Sequence, residues 1–371
     1  MPPGRSELPI EARVARSVLG RSLGVEKGER VLIETWSHTL PWAAAMARES
    51  RRLGARPLVI YEDENAYWQS VGAGEAKILG KPGKHEWAAL SKSDVYIYFW
   101  GPADRARLAA LPPETVDRLL AYNEAWYDLA AKAGVRGARM EVARPSPSLA
   151  RLYGANENAW RREVADASLV DPKALARDAE RVARAVEQGE SLTLRHGNGT
   201  DLTLRLGGRA ARRQCARVPD KGERANRYGS LINIPGGSVN VALDGRTADG
   251  TLVGNRAGYF DRGVTRDVTW TFAKGRLTSW SYGAGSDLFE TPFRAAGKGA
   301  DRPGTLTIGI NPKVRNAPMV EDLARGAITL TVGGNSFLGG SNASPFSSWA
   351  LIDGADVEVD GTPLLKAGEL A

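Results

Sequence analysis

The chain is poor in the side chains that hold metals and carry nucleophilic chemistry. Cysteine appears once, at Cys215, and histidine three times, at His38, His85 and His196, in 371 residues. One cysteine excludes internal disulfides and any cysteine-built metal cage, and it suits a reducing compartment. From Ala327 to Leu351 there is no Asp, Glu, His or Cys at all. No stretch approaches the apolar length of a membrane span, and the opening MPPGRSELPIEARVARS lacks the apolar core of a signal peptide. A soluble cytoplasmic protein is the expectation, with no membrane partner. Charge of one sign is not concentrated either. Lys and Arg number 50 against 43 Asp and Glu, a formal net charge of +7, and the arginines scatter along helices and loops. A nucleic-acid footprint needs that charge clustered on one face, so no nucleic-acid partner is expected.

What is present is an alternation of strands and helices followed by a β-rich half. Residues 8–23 read as an amphipathic helix ended by Gly24. The next stretch, VEKGERVLIETWSHTLPWAAAMARESRRLGARPLVIYED, reads as a strand from Arg30 to Glu34, a helix from Pro41 to Leu53 capped by Gly54, and a strand from Pro57 to Tyr61. A helical segment at 86–91, the strand DVYIYFWGP and a helix over 113–133 follow. Strands alternating with helices predict a parallel sheet. The turn after the first strand is ETWSH, without the glycine fingerprint of a dinucleotide site. Residues 144–172 read as a connecting region, and Pro172 to Gln188 as an amphipathic helix. From Ser191 the pattern changes to short β-branched runs stopped by Gly, Pro or Asn, beginning with a hairpin around Gly197-Asn198-Gly199. The expected organisation is an α/β domain with a parallel sheet over 1–190 and a β-rich α+β domain over 191–371.

The run from Gly229 to Gly361 carries most of the candidate site. Its pieces read GSLINIPGGSVNVAL, GTLTIGINP, GAITLTVGGNSFLGGSN and SPFSSWALIDGADVEVDG. Each places a small hydroxyl residue beside a glycine turn, where backbone can approach a ligand closely. A pocket here would be built from Ser, Thr, Asn and Trp. In the N-terminal half, ligands of a parallel sheet sit at the carboxyl ends of the strands. Those ends are Glu34 to His38 and Phe99-Trp100. His38 is the candidate general acid or base, since imidazole titrates near neutral pH. The reading as a surface loop histidine is the favoured one. Trp36, Trp100 and Trp349 are candidate pocket walls or ordinary core. Arg227, with Arg224, is a candidate partner for an anionic substrate group.

Four pieces in order resemble the thermophilic metallo-aminopeptidase family, the aminopeptidase T and aminopeptidase S group. They are SLGVEKGERVLIETW with RRLGARPLV; GNGTDLTLRLGGR; NIPGGSV; and TIGINP followed by GAITLTVGGN and SSWALIDGADVEVDG. The resemblance implies an α/β domain joined to a β-rich domain, a homodimer, two bound divalent metals and the cleavage of N-terminal residues from peptides. It also implies kinship with an iron-dependent ring-opening dioxygenase. At the positions matching the family's metal ligands this chain departs from the pattern. The glutamate of PGGEV falls on Ser238, that of GELGIG on Thr305, and the strand histidine on Thr329. The tyrosine falls near Ser336 or Phe337, and the His-Trp-Asp triplet falls on Ser348, Trp349 and Ala350. Hydroxyls without a carboxylate or imidazole beside them hold divalent ions poorly.

The expectation is therefore a protein without a metal or other cofactor. Ser238, Asn240, Thr305, Thr329 and Ser348 read either as filler for a lost site or as a hydrogen-bonding pocket for a neutral polar ligand. A serine nucleophile would need a base that the motifs do not supply. The leading reading is a metal-independent hydrolase-like enzyme acting on a small organic or peptide-like amide in a pocket between the domains. The alternatives are a catalytically silent protein that binds a ligand or partner, and an aminopeptidase with relocated ligands. Strand alternation adds a geometric expectation. Thr329 and Thr331 should share a face opposite Ile328 and Leu330, and Ser238 and Asn240 a face opposite Val239 and Val241, with all four family-position hydroxyls in one cavity.

Overall fold

The computed structural model describes residues 8–81, 83–218, 231–260 and 263–371. By contacts the chain divides into two units: Met1–Pro172 with Ala216–Pro235, and Lys173–Cys215 with Gly236–Ala371. Composition placed the change of character at residue 190. The helix Pro172–Gln188 falls almost wholly within the second unit, and the chain returns to the first over 216–235. The two returns are topological, and no change in residue type marks them.

The first unit is a five-stranded parallel sheet. Strands β1 (Arg30–Trp36), β2 (Arg56–Glu62), β3 (Val95–Phe99) and β4 (Arg136–Met140) lie in the order β2-β1-β3-β4, and Leu231–Ile234 adds the fifth strand beside β4. The LINI run, grouped by sequence with the β-rich half, thus belongs to the parallel sheet. β4 is hidden in the sequence because Arg136 and Arg139 interrupt a short run. Arg136 is satisfied at the strand's start by Glu29, 2.6 Å away, and by the Leu23 carbonyl. The helix predicted at 8–23 forms over Ile10–Arg16 and continues with π-type bonding over Ser17–Ser22. The predicted helix at 113–133 forms over Pro113–Ala133, and Gly134 ends it at φ +67°, a conformation that needs no Cβ. The region read as a connector carries two helices, Pro147–Tyr153 and Glu157–Ala167, capped by Ser146 and Asn156.

One face of this sheet packs Leu32, Leu90, Tyr96, Trp126, Ala130 and Val135 into a core cluster. Strand order reverses between β1 and β3: the chain leaves β1 to one side for β2 and returns to the other for β3. At such a switch point the two flanking connections diverge and leave a crevice beyond the carboxyl ends of the strands.

The second unit is antiparallel. An eight-stranded sheet includes the predicted hairpin, Ser191–His196 with Thr200–Arg205. A five-stranded sheet takes Ser347–Ile352, Ile328–Gly333, Pro303–Gly309, Ser238–Ala242 and Arg212–Gln214 in that order. Gly237, at φ +130°, begins the Ser238 strand, and a Cβ there would lie 2.5 Å from that of Asn311. The unit's aromatic centre is Phe289, with no exposed surface. Its ring lies 5.0 Å from that of Phe293, 5.3 Å from Tyr282 and 5.5 Å from Phe346. Among the described residues no helix is long and apolar enough to cross a membrane.

Deleting the ring of Phe289 removes contacts on every side at once. Phe289→Ala should lower the unfolding free energy by about 3–5 kcal/mol, read from the urea midpoint by circular dichroism. A loss below about 1 kcal/mol, the range of ordinary surface changes, would mean that this cluster does not hold the unit together.

Candidate functional site

Four of the positions that the resemblance matched to metal ligands are buried in the five-stranded sheet of the second unit. Ser238, Thr305, Thr329 and Ser348 are all 6% exposed or less. Directly paired residues on neighbouring strands share a face. Thr307 pairs with both Thr329 and Asn240, and Thr331 pairs with Trp349. Ser238 and Asn240, two apart on one strand, join them. The expected alternation is present: Ile328, Leu330, Val239 and Val241 are buried on the opposite face. Ser348 does not join the other hydroxyls. It pairs with Val332, on the apolar side, and hydrogen-bonds the Tyr282 hydroxyl. Only three of the four hydroxyls expected in one cavity therefore share a face.

Two of those three hydroxyls, Ser238 and Thr305, are engaged within the sheet. The Asn240 amide donates to Ser238 Oγ at 3.1 Å, and Thr307 Oγ1 donates to Asn240 Oδ1 at 2.6 Å. The Thr305 and Thr331 hydroxyls lie 3.0 Å apart, and the Thr305 amide donates to Thr331 Oγ1 at 2.7 Å. Thr329 Oγ1 is buried without a partner. Trp349 stacks on Phe260 at 3.9 Å. Ser336 lies exposed on a short turn, Ser336–Leu338. Arg224 and Arg227 lie outside the described residues. This neutral network does not suit a divalent ion, which needs carboxylate or imidazole donors. Among the described residues no group of three or more His, Cys, Asp or Glu is placed to hold a metal. No relocated ligand cluster is seen there.

The first unit presents different chemistry. A cavity of about 370 Å³ opens at the carboxyl ends of β1, β2 and β3, where the strand order reverses. Its floor follows from register. Glu34 pairs with Ile60 and Tyr98, and Trp36 pairs with Glu62, so all five side chains lie on one face. The helices Lys84–Ser91 and Pro113–Ala133 contribute Glu86 and Tyr122. Glu86 is fixed by a capping box, its carboxylate accepting the Gly83 amide. Trp36 is 8% exposed, meets Tyr67 edge-on at 5.1 Å, and has a buried Nε1 without a partner.

Glu34 is partly open and lines the cavity, but packed protein surrounds it. Burial pushes its pKa up to about 7, with Glu86 and Glu62 adding repulsion, although the Tyr96 hydroxyl donates to Oε2 and pulls the other way. Burial also raises Glu62, assisted by Glu86 and Asp63. Tyr96 is itself held well above its ordinary range by burial and the Glu34 charge, so it stays protonated and remains a donor.

His38 does not line this cavity. Its Nε2 lies 3.1 Å from the Ala143 carbonyl, and Nδ1 lies 4.0 Å from Glu64 Oε2. Burial lowers its pKa, so the ring is neutral near pH 7 and donates through Nε2. Trp100 does line the cavity. Its Nε1 donates to Glu141 at 3.2 Å, and Arg144 lies 3.8 Å over its ring. Trp36 and Trp100, named from the strand-end rule, both line this cavity. The rule passed over Glu34 as one residue in a turn, and nothing local linked Glu34 to Glu62, Glu86 or Tyr122.

The chain is built on a peptidase-like scaffold, a helix-flanked parallel sheet followed by an antiparallel β-rich unit. It belongs to the thermophilic metalloprotease (M29) family, whose model matches residues 11–316. AmpT from Thermus thermophilus has a similar structure, with a TM-score of 0.75 at 18% identity over 98% of this chain and 99% of that one. A 2,5-dihydroxypyridine dioxygenase from Pseudomonas putida KT2440 matches with a TM-score of 0.62 at 16% identity over 98% of both chains. At these identities the likeness is one of fold. No curated protein matches.

Two measurements check this description. Thr307→Val leaves Asn240 Oδ1 without its donor and should lose about 1–3 kcal/mol of stability, whereas Thr329→Val removes an unpaired hydroxyl and should be neutral or stabilising. Equal losses in urea unfolding would contradict the network. The second concerns Glu321, buried at 4% exposure with Oε2 unpartnered. Burial first, then Asp322, lifts its pKa from 4.5 to about 8. The fold accommodates the protonated form, so stability is full at low pH and falls as pH rises through about 8. Glu321→Gln should flatten the fall in Tm between mildly acid and alkaline pH. An unchanged pH profile would show that Glu321 ionises without cost.

Proposed function

We propose that this chain is a metal-independent enzyme on the M29 scaffold, acting on a small organic or peptide-like amide molecule held in the N-terminal cavity. Glu34 is the group that moves the proton. The observation that supports this most is the coincidence of the switch-point cavity with an enclosed carboxyl whose pKa is about 7. A general base works best when its pKa lies near the operating pH. Burial and neighbouring carboxylates achieve that here, as the same physics does at other carboxyl sites.

In this reading the ionised Glu34 accepts a proton from the attacking water and returns it to the leaving amine as the amide bond breaks. Tyr96 orients the carboxylate by donating to Oε2. The aromatic walls exclude bulk water, which strengthens each charge interaction inside. His38 acts as a positioning residue, linking the turn after β1 to Ala143. The hydroxyl face of the second unit is a structural remnant in which each strand is bonded to the next. That remnant favours one second reading, a protein that binds the same ligand without turning it over, because no nucleophile and base meet there. The resemblance further supports a homodimer, which sedimentation would show as twice the chain mass.

The test is a turnover screen of small aryl and alkyl amides with protein dialysed against chelator. Activity should persist without added metal and rise with pH through an apparent pKa near 7. Glu34→Gln should reduce it by roughly 100-fold or more, the scale of a lost general base. Activity that appears only with zinc or manganese, or that survives Glu34→Gln, overturns the proposal. Retained binding with no turnover of any amide selects the binding reading.

A further inference from the structure

The cavity's walls also bear on what it takes. We infer that it is a site for a small organic cation, a protonated amine carrying one apolar group of aromatic size. This rests on the reading that the cavity is the ligand site. It goes further by assigning a charge and a size to the occupant.

Charge is the first observation. Glu34 and Glu62 rise from the sheet on one face, and Glu86 projects from the helix Lys84–Ser91. The charges that act on Glu34 are those of Glu86 and Glu62, and those that act on Glu62 are Glu86 and Asp63. Like charges brought together in a partly dry space repel strongly, and a bound cation relieves all three at once. Two cationic side chains, Lys81 and Arg105, also line the cavity, as does His85. Arg105 is engaged with the aromatic wall, its guanidinium 4.9 Å over Trp100 and its charge felt by Tyr67 and Tyr98.

The walls decide between a metal and an organic cation. Among the described residues the carboxylates are not grouped as a metal site. The same cavity is lined by Trp36, Tyr67, Tyr98 and Tyr122. Aromatic faces attract cations through the ring quadrupole, and the attraction grows when the cation is desolvated. Carboxylates for the charge and rings for the adjoining carbons are the elements of an ammonium site. The buried Nε1 of Trp36, a donor without a partner, adds a polar group at the same wall. Size sets the limit. A cavity of about 370 Å³ is enough for a benzylamine-sized molecule.

The experiment is a calorimetric and tryptophan-fluorescence titration of the full chain with three probes of one shape: benzylamine, benzyl alcohol and benzoate. It is run at mildly alkaline pH, where Glu34 is ionised and benzylamine is still protonated. Benzylamine should bind at least roughly tenfold more tightly than the alcohol, the worth of one charge-assisted hydrogen bond, and benzoate should bind weakest. Glu62→Gln and Glu86→Gln should each weaken benzylamine by a similar factor and leave the alcohol unchanged. Both positions are only partly buried, so the variants are expected to fold, and unchanged alcohol binding confirms it. Alcohol binding as tight as amine binding, tighter benzoate, or no binding of any probe overturns the inference. The two proposals fail separately. If amide turnover survives Glu34→Gln while benzylamine stays selective, the catalytic reading falls and this one stands. If turnover needs Glu34 but the cavity prefers the alcohol, only the cation assignment falls.

Discussion

The parallel register of β1 with β3 is the constraint on which the N-terminal unit depends. It sets Leu32 beside Tyr96 and Glu34 beside Tyr98. The same face therefore begins as packed core and ends as a cavity rim. Leu32 and Tyr96 lie in a cluster that Trp126, Ala130 and Val135 complete, so the floor beneath Glu34 is rigid. A rigid floor keeps water from relaxing around the carboxylate, and the raised pKa of Glu34 follows from that. A slip of one residue would turn Glu34 to the opposite face and remove both the charge and the cavity.

The second unit shows how a polar face can be buried in a sheet without charges. Ser238, Asn240, Thr305, Thr307 and Thr331 satisfy one another across neighbouring strands. Buried polar groups are stable when each finds a partner, and neutral hydroxyls and amides can do so without counter-ions. The face stays polar and well packed, yet it offers few open donors. Among the described residues of the second unit, Thr247 Oγ1, Thr265 Oγ1, Glu321 Oε2 and Thr329 Oγ1 are buried side-chain oxygens without a partner.

Much of the fold was legible. Apolar periodicity and caps located the helices Pro113–Ala133 and Pro172–Gln188 end to end, because Pro at the start and Gly just past the end are local signals. The hairpin at Gly197-Asn198-Gly199 and the alternation of Ile328, Thr329, Leu330 and Thr331 were legible for the same reason. β4 was not, since arginines occupy two of its five positions and find their partners in other elements. Nor was the return of Leu231–Ile234 to the first sheet, where no local feature separates a parallel from an antiparallel neighbour. Ser348 was assigned by position in a motif, but facing is set by pairing, and it pairs with Val332.

By itself the sequence determined the class of fold, the family, most element boundaries and the scarcity of metal-binding side chains. These depend on residue type and on short-range spacing, which a chain carries wherever it goes. Only the tertiary structure decided that Glu34, Glu62, Glu86 and Tyr122 share one cavity, that His38 stands outside it, and that the hydroxyls of the second unit bond one another. Those facts depend on which residues, dozens of positions apart, are brought within a few ångströms. Proximity in turn fixes burial and charge coupling, and these set the pKa of a carboxyl that in the sequence is one acid among many.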